Sequence, residues 1–167
     1  MKIFYLAIFI MICNCSSHEK MKIERIVSHP QKELYTDSIT GKSIKRTKLV
    51  SKIKRLEPNI KIIHSNTRKI EFSLQGNITS GGHSINNVKK IKLEKEDNKN
   101  EIVLKYYVEI KRVAGKESAN VNGYNYFQNE TFAIPKNTTS IKIQLYERYI
   151  DSKIPSKLLK ELSYPVN

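Results

Sequence analysis

The stretch from Glu101 to Lys111 constrains the fold more than any other, because Ile102, Leu104, Tyr106, Val108 and Ile110 alternate there with Val103, Lys105, Tyr107, Glu109 and Lys111. Successive side chains of a strand point to opposite faces, whereas a helix would scatter these five apolar residues around its circumference. The run therefore predicts a strand with one buried face. Ile70, Phe72 and Leu74 alternate in the same way with Lys69, Glu71, Ser73 and Gln75, and Ile141, Ile143 and Leu145 with Lys142, Gln144 and Tyr146. Three such segments predict an antiparallel sheet with one solvated side.

Further strand candidates are Ile60 to Ile63, Val88 to Lys95 and Tyr124 to Ile134. Between them, Glu94 to Asn100 reads as a charged hairpin tip, Gly76 to Asn87 and Ala114 to Gly123 as longer loops, and Pro135-Lys136-Asn137 as a turn. The expected class is all-β, an antiparallel β-sandwich of about seven strands. The Phe132-Ala133-Ile134-Pro135 turn, followed by a strand from Ser140 to Tyr149, is similar to the late strands of immunoglobulin- and fibronectin-type domains, although the chain lacks the paired cysteines and tryptophan of antibody domains. A half-open barrel is the alternative architecture.

Two regions depart from the period of two. Leu49, Val50, Ile53 and Leu56 fall at helical spacing, with Thr47 placed to cap and Pro58 displacing Glu57 from helical geometry, so residues 47–57 read equally as a short helix or a strand. At the C-terminus, Leu158, Leu159 and Leu162 suit a helical turn, but Leu158, Leu162, Tyr164 and Val166 would share one face of a final strand after the Ile150 to Pro155 turn. The strand is the favoured reading.

The chain opens with Lys2, then about ten apolar residues from Ile3 to Ile12, the length of a signal-peptide core and too short to span a bilayer. Ile12-Cys13-Asn14-Cys15 resembles the lipobox of bacterial lipoproteins, with Asn14 standing where glycine or alanine is commonest. The resemblance implies cleavage before Cys15 and a diacylglyceryl group on its thiol, hence a membrane as partner through the N-terminal lipid. Ser16-Ser17 follows, in place of the aspartate that retains many lipoproteins at the inner membrane, which by the same resemblance implies the outer membrane. A plain secretory signal, with a secreted product, is the alternative. With Cys13 removed and Cys15 acylated, the mature domain has no thiol for a disulfide, a zinc site or a nucleophile. The expected organisation is a signal peptide over 1–14, a lipidated N-terminus and tether over 15–40, and one β-sandwich domain over 41–167. Ile23, Ile26 and Val27 supply the alternative to a tether, a first strand or short helix docked on the domain.

The chain carries a formal charge of +14, and loss of residues 1–14 removes only Lys2. The densest stretch, Gly41 to Arg55, has no acidic residue and offers Lys42, Lys45, Arg46, Lys48, Lys52, Lys54 and Arg55 as candidate contacts for an acidic polymer or lipid headgroups. Nucleic acid is disfavoured, since base readers interleave arginine with aromatics and this stretch does not. Lysine is abundant throughout, and lysines on strand edges also discourage edge-to-edge aggregation.

No catalytic spacing stands out. Gly41-Lys42-Ser43 resembles the end of a P-loop but lacks the first glycine and a preceding strand. His18, His29, His64 and His83 are isolated in sequence, and the acidic residues near Glu94 do not match a calcium loop. No cofactor and no metal site are expected. The sequence thus predicts a lipid-anchored, non-enzymatic binding or accessory module with a protein or glycan partner in the envelope. A basic module for anionic polymers or headgroups comes second, and an enzyme assembled around His64 or His83 third. Outward tyrosines among Tyr106, Tyr107, Tyr124, Tyr126, Tyr146 and Tyr149 would either stack on a ligand or pair across strands to cover the sheet.

Overall fold

The computed structural model describes residues 21–79, 83–84, 91–98, 100–111, 113–114 and 120–166. The expected signal segment and Cys15 lie outside the described residues. Within them the chain is all-β, with strands β1 (Lys22–Thr36), β2 (Ser43–Ser51), β3 (Asn59–Ser65), β4 (Lys69–Ile78), β5 (His83–Ser84), β6 (Ile91–Asn98), β7 (Glu101–Ile110), β8 (Val113–Ala114), β9 (Val121–Ala133), β10 (Ser140–Tyr149) and β11 (Lys157–Pro165). Five strands form one sheet in the order β2-β1-β9-β4-β3, four form a second in the order β11-β10-β7-β6, and β5 pairs with β8 in a short ribbon. The expected sandwich is present, with nine strands in its two sheets rather than about seven.

The alternating segments bury the faces that their patterns indicate. Ile70, Phe72 and Leu74 of β4, Ile102, Leu104, Tyr106, Val108 and Ile110 of β7, and Ile141, Ile143 and Leu145 of β10 join one core with Tyr124 and Tyr126 of β9. Phe72 meets Tyr106 edge-on across the sheets, with ring centroids 5.6 Å apart. One pairing departs from the antiparallel expectation: β7 and β10 run parallel, setting Ile102 beside Ile141, Leu104 beside Ile143 and Tyr106 beside Leu145. Alternation defines a face and carries no information on strand direction.

Several boundaries differ from the sequence reading. Residues 22–36 are β1 rather than tether, so the first-strand alternative holds and the domain begins well before residue 41. Main-chain pairing of Lys22 to Val27 with β9 places β1 there, which is why sparse apolar residues did not announce it. No helix occurs over 47–57: Leu49 and Val50 lie in β2 opposite Pro30 and His29, and both are exposed. Their helical spacing is therefore accidental. Gly76 to Ile78 extend β4, Glu94 to Asn98 extend β6, and Val121 to Gly123 open β9, so each assigned loop is shorter than expected. The final strand is present, but a register shift opposite Leu145 and Tyr146 turns Leu159 instead of Leu158 towards the core.

Gly76 is required by its neighbour. It pairs with Tyr126, whose ring lies across it, and a Cβ at position 76 would stand 2.6 Å from Tyr126 Cζ. Gly76→Ala should therefore lower unfolding stability by about 1–3 kcal/mol through overpacking. In a Tyr126→Ala background the same change should be close to neutral, a coupling readable in a urea-unfolding double-mutant cycle. An equal cost in both backgrounds would contradict this account.

Candidate functional site

β1 serves two pairings in succession. Lys22 to Val27 pair with β9, while Ser28 to Thr36 pair with β2 in nine consecutive antiparallel pairs from Ser28 opposite Ser51 to Thr36 opposite Ser43. The second half is thus a two-stranded arm that continues past the sheet for about 30 Å, at about 3.3 Å per residue. Apart from Ser28, Ser51 and Glu33, every residue in its two strands is exposed.

The arm ends in a tight turn made by Asp37 and Gly41. Asp37 Oδ1 accepts from the amides of Ile39 at 2.8 Å and Thr40 at 2.9 Å, Asp37 O accepts from Gly41 N at 2.9 Å, and Gly41 takes φ 67°. A positive φ suits glycine, and aspartate is favoured where a side chain must mimic a turn. The Thr40 and Ile39 amides hold the Asp37 carboxylate below its ordinary pKa.

Polar side chains brace the root. Ser28 N donates to Asn120 O at 2.8 Å, Asn122 Nδ2 donates to Ser28 Oγ, and Arg55 Nη2 donates to Asn122 O at 3.0 Å. Asn125 of β9, only 3% exposed, accepts from Leu56 N and Asn77 Nδ2 and donates to Lys54 O and Glu24. Residues 52–58 therefore cross the outside of the five-stranded sheet strapped to one asparagine. The strap fixes where β2 leaves the body and β3 begins.

Seven cations proposed as polyanion contacts are distributed by this geometry. Lys42 closes the tip, Lys45 lies on one face of the arm, and Arg46 and Lys48 lie on the other. Arg46 is engaged, with Glu33 at 2.5 Å and its guanidinium 4.3 Å from the Tyr35 ring centre. Lys52 borders a depression of about 280 Å³ lined with His29, Pro30, Gln31 and Val50. Lys54 and Arg55 belong to the strap. The cations therefore occupy both faces and the root, with no common patch.

The arm also carries exposed apolar residues, of which sequence reasoning passed over Leu34, Ile39 and Ile44 and used Leu49 only for the helix-or-strand reading of 47–57. Leu34 is 71% exposed, Ile39 92%, Ile44 53% and Leu49 57%. Neither face of the arm is buried, so no alternation marked it. The available signal was the Asp37-Ser38-Ile39-Thr40-Gly41 turn between two runs of equal length.

Other candidates resolve differently. Tyr107 and Tyr146 stack across strands at 5.0 Å on the outer face of the four-stranded sheet, Arg148 lies 4.0 Å over Tyr107, and Arg148 pairs with Glu109 at 2.7 Å and Glu94 at 3.3 Å. These outward tyrosines cover the sheet by cross-strand pairing. Inside, the Tyr106 hydroxyl bonds Glu130, which Gln128 Nε2 also meets, and burial first and Glu130 second push the Tyr106 pKa far up. His64 is exposed on β3 opposite Glu71, and His83 lies in β5. A second depression of about 380 Å³, between Lys95, Asn100 and the Pro135 to Thr138 turn, includes neither. Among the described residues no group of three or more His, Cys, Asp or Glu is placed to hold a metal ion.

Comparison with protein-family models, with curated proteins and with solved structures finds no match. The fold itself therefore defines the class: a two-sheet β-sandwich with a projecting, basic and partly apolar hairpin.

Two outcomes follow for the arm. Asn125→Ala orphans Lys54 O and Leu56 N and should cost about 1–3 kcal/mol for each group left without a partner; faster hydrogen exchange at the Leu56 amide would report it, and unchanged exchange would refute the strap. Because the Asp37 pKa is lowered on folding, its contribution is complete above the unfolded value of about 3.9 and is lost as pH falls through the lower folded value. Acid titration by NMR should show the Ile39 and Thr40 amides shifting together only in that acidic window, and Asp37→Ala should remove the transition.

Proposed function

We propose that the chain is a lipid-anchored envelope or surface lipoprotein, of the outer membrane by its Ser16-Ser17 sequel, whose β-sandwich is a non-enzymatic binding or accessory module. The observation that carries this reading is the arm: about 30 Å of ordered hairpin, exposed on both faces, holding Leu34, Ile39, Ile44 and Leu49 in water. Large apolar side chains kept exposed on a projecting element favour a contact surface for a partner.

The lipobox-like segment supports the anchor, and the position of β1 supports the arrangement. At most about 25 Å of chain separates Cys15 from Lys22, and β1 then runs fifteen residues, about 50 Å, to the base of the tip. An anchor at Cys15 would lie within that chain length of Lys22, the end of β1 opposite the arm. The exposed cations Lys42, Lys45 and Lys48 support the second reading, in which the arm gathers anionic polymers or headgroups.

Mass spectrometry of the mature protein should find an N-terminus at diacylglyceryl-modified Cys15, and Cys15→Ser should release the domain from membranes. An unmodified Cys15, or cleavage elsewhere, would refute the anchor. Crosslinkers placed at Leu34 and Ile44 should capture an envelope protein or glycan, whereas equivalent placement at Ser163, on β11 at the far side of the sandwich, should not. Under the second reading, capture would instead weaken steeply with salt and vanish when the arm lysines are neutralised.

A further inference from the structure

Among the described residues, the free edges of the two large sheets differ in what guards them against pairing. β3 has a register shift between Ile62 and His64, and Tyr164 of β11 reaches over to donate to Ser65 at 2.7 Å. β11 has a shift of its own and ends at Pro165. On β6, exposed Lys95 stands opposite core-facing Leu104 with its ammonium 5.8 Å from the Phe132 ring centre, a charge on the inner face of that edge. The arm half of β1 carries Pro30. β2 has neither a shift nor a proline across its nine pairs, and only its own cations guard it.

The arm's hydrogen-bond parity shows which groups β2 presents. Asp37 N bonds Lys42 O at 3.0 Å, so Asp37 and Lys42 are a hydrogen-bonded pair, and Ser28 N turns away from β2 to Asn120 O. Alternation from these two ends makes Tyr35–Ile44, Glu33–Arg46, Gln31–Lys48 and His29–Val50 the bonded pairs. The N–H and C=O groups of Lys45, Thr47 and Leu49 therefore point to the open edge, and Pro30, opposite Leu49, costs the ladder nothing. Side chains on this edge form two rows: Lys45, Thr47 and Leu49 on one face, and on the other Ile44, Arg46, Lys48 and Val50, with cations at the centre and apolar ends. Arg46 is held by Glu33 and Tyr35, while among the described residues no carboxylate pairs with Lys45 or Lys48.

We propose that β2 is a docking edge for an extended acidic polypeptide segment, which adds as a sixth strand with carboxylates beside Lys45 and Lys48 and apolar side chains beside Ile44, Leu49 and Val50. This deepens the binding-module reading and rests on it. Charge selects the occupant: a second copy of β2 would bring lysine against lysine, which is destabilising across strands, while opposite charges are favourable. Headgroup phosphates can pair with the lysines but do not supply the alternating donors and acceptors that an open strand edge needs, and a strand does.

A library of random nine-residue peptides panned against the full mature chain tests this. Enriched peptides should be acidic, should newly protect the Lys45, Thr47 and Leu49 amides from exchange, and should bind at least tenfold more weakly to Thr47→Pro and to the Lys45→Glu, Lys48→Glu double variant. Proline at 47 removes only an outward donor, and continued protection of the Ile44, Arg46 and Lys48 amides confirms that the arm stays folded. No enrichment, neutral or basic winners, or equal binding to Thr47→Pro would overturn the proposal. So would phosphatidylglycerol vesicles or polyglutamate binding wild type and Thr47→Pro alike with no amide protected, which would assign the arm to anionic surfaces. Either failure with Cys15 lipidated leaves the anchored module standing, and an unmodified Cys15 with acidic selection intact does the reverse.

Discussion

Two strands lie parallel side by side only if the chain between them travels back the length of the sheet, and here β9 makes that journey inside the opposite sheet. β7 ends at Ile110, β9 returns over thirteen residues between β1 and β4, and β10 starts again beside β7 in register from Ser140 opposite Glu101. β9 thus holds the five-stranded sheet together and dictates the direction of the central pair in the other. Its inner face is correspondingly mixed. Tyr124 and Tyr126 pack in the core, but Gln128 and Glu130, each 2% exposed, carry polar groups inward. A buried carboxylate is tolerable only with donors, and Tyr106 from β7 and Gln128 supply them. That contact joins the two sheets.

The outer face of the same strand does the corresponding work for the arm. Asn125 can accept twice and donate twice, and its partners come from β1, β4 and the strap. One side chain therefore registers three separate segments. Such a position tolerates little substitution, since aspartate would lose both donors and leucine all four bonds.

What was legible in the sequence was whatever a buried face imprints on it. β4, β7 and β10 alternate because one side of each is dry, and the alternation names their core residues. β1 and β2 were missed or left ambiguous for the opposite reason: Leu34, Ile44, Leu49 and Val50 pair across the arm without a core beneath them, so apolar residues fall without period. The parallel β7–β10 pair was hidden because direction depends on a connection through another sheet. The basic stretch from Lys42 to Arg55 was plain, but its division between two faces, a tip and a strap depends on a turn and on Asn125, and neither shows in a charge count.

An isolated two-stranded hairpin is marginal in water, yet here nine pairs hold without a covering sheet. The arm's order must then be supplied at its ends. The Asp37 turn closes one, and Ser28, Asn120, Asn122 and Arg55 clamp the other. Because β1 is continuous through the clamp, the half that pairs with β9 acts as a lever arm for the half that does not. Ordering at the ends leaves the middle of the arm free of structural duty. Thr47, Lys45 and Leu49 can keep their backbone groups turned outward without weakening the hairpin, and the lysines between them keep identical chains apart. Exposure and order, usually in opposition along an edge strand, are compatible in this arm because different residues provide them.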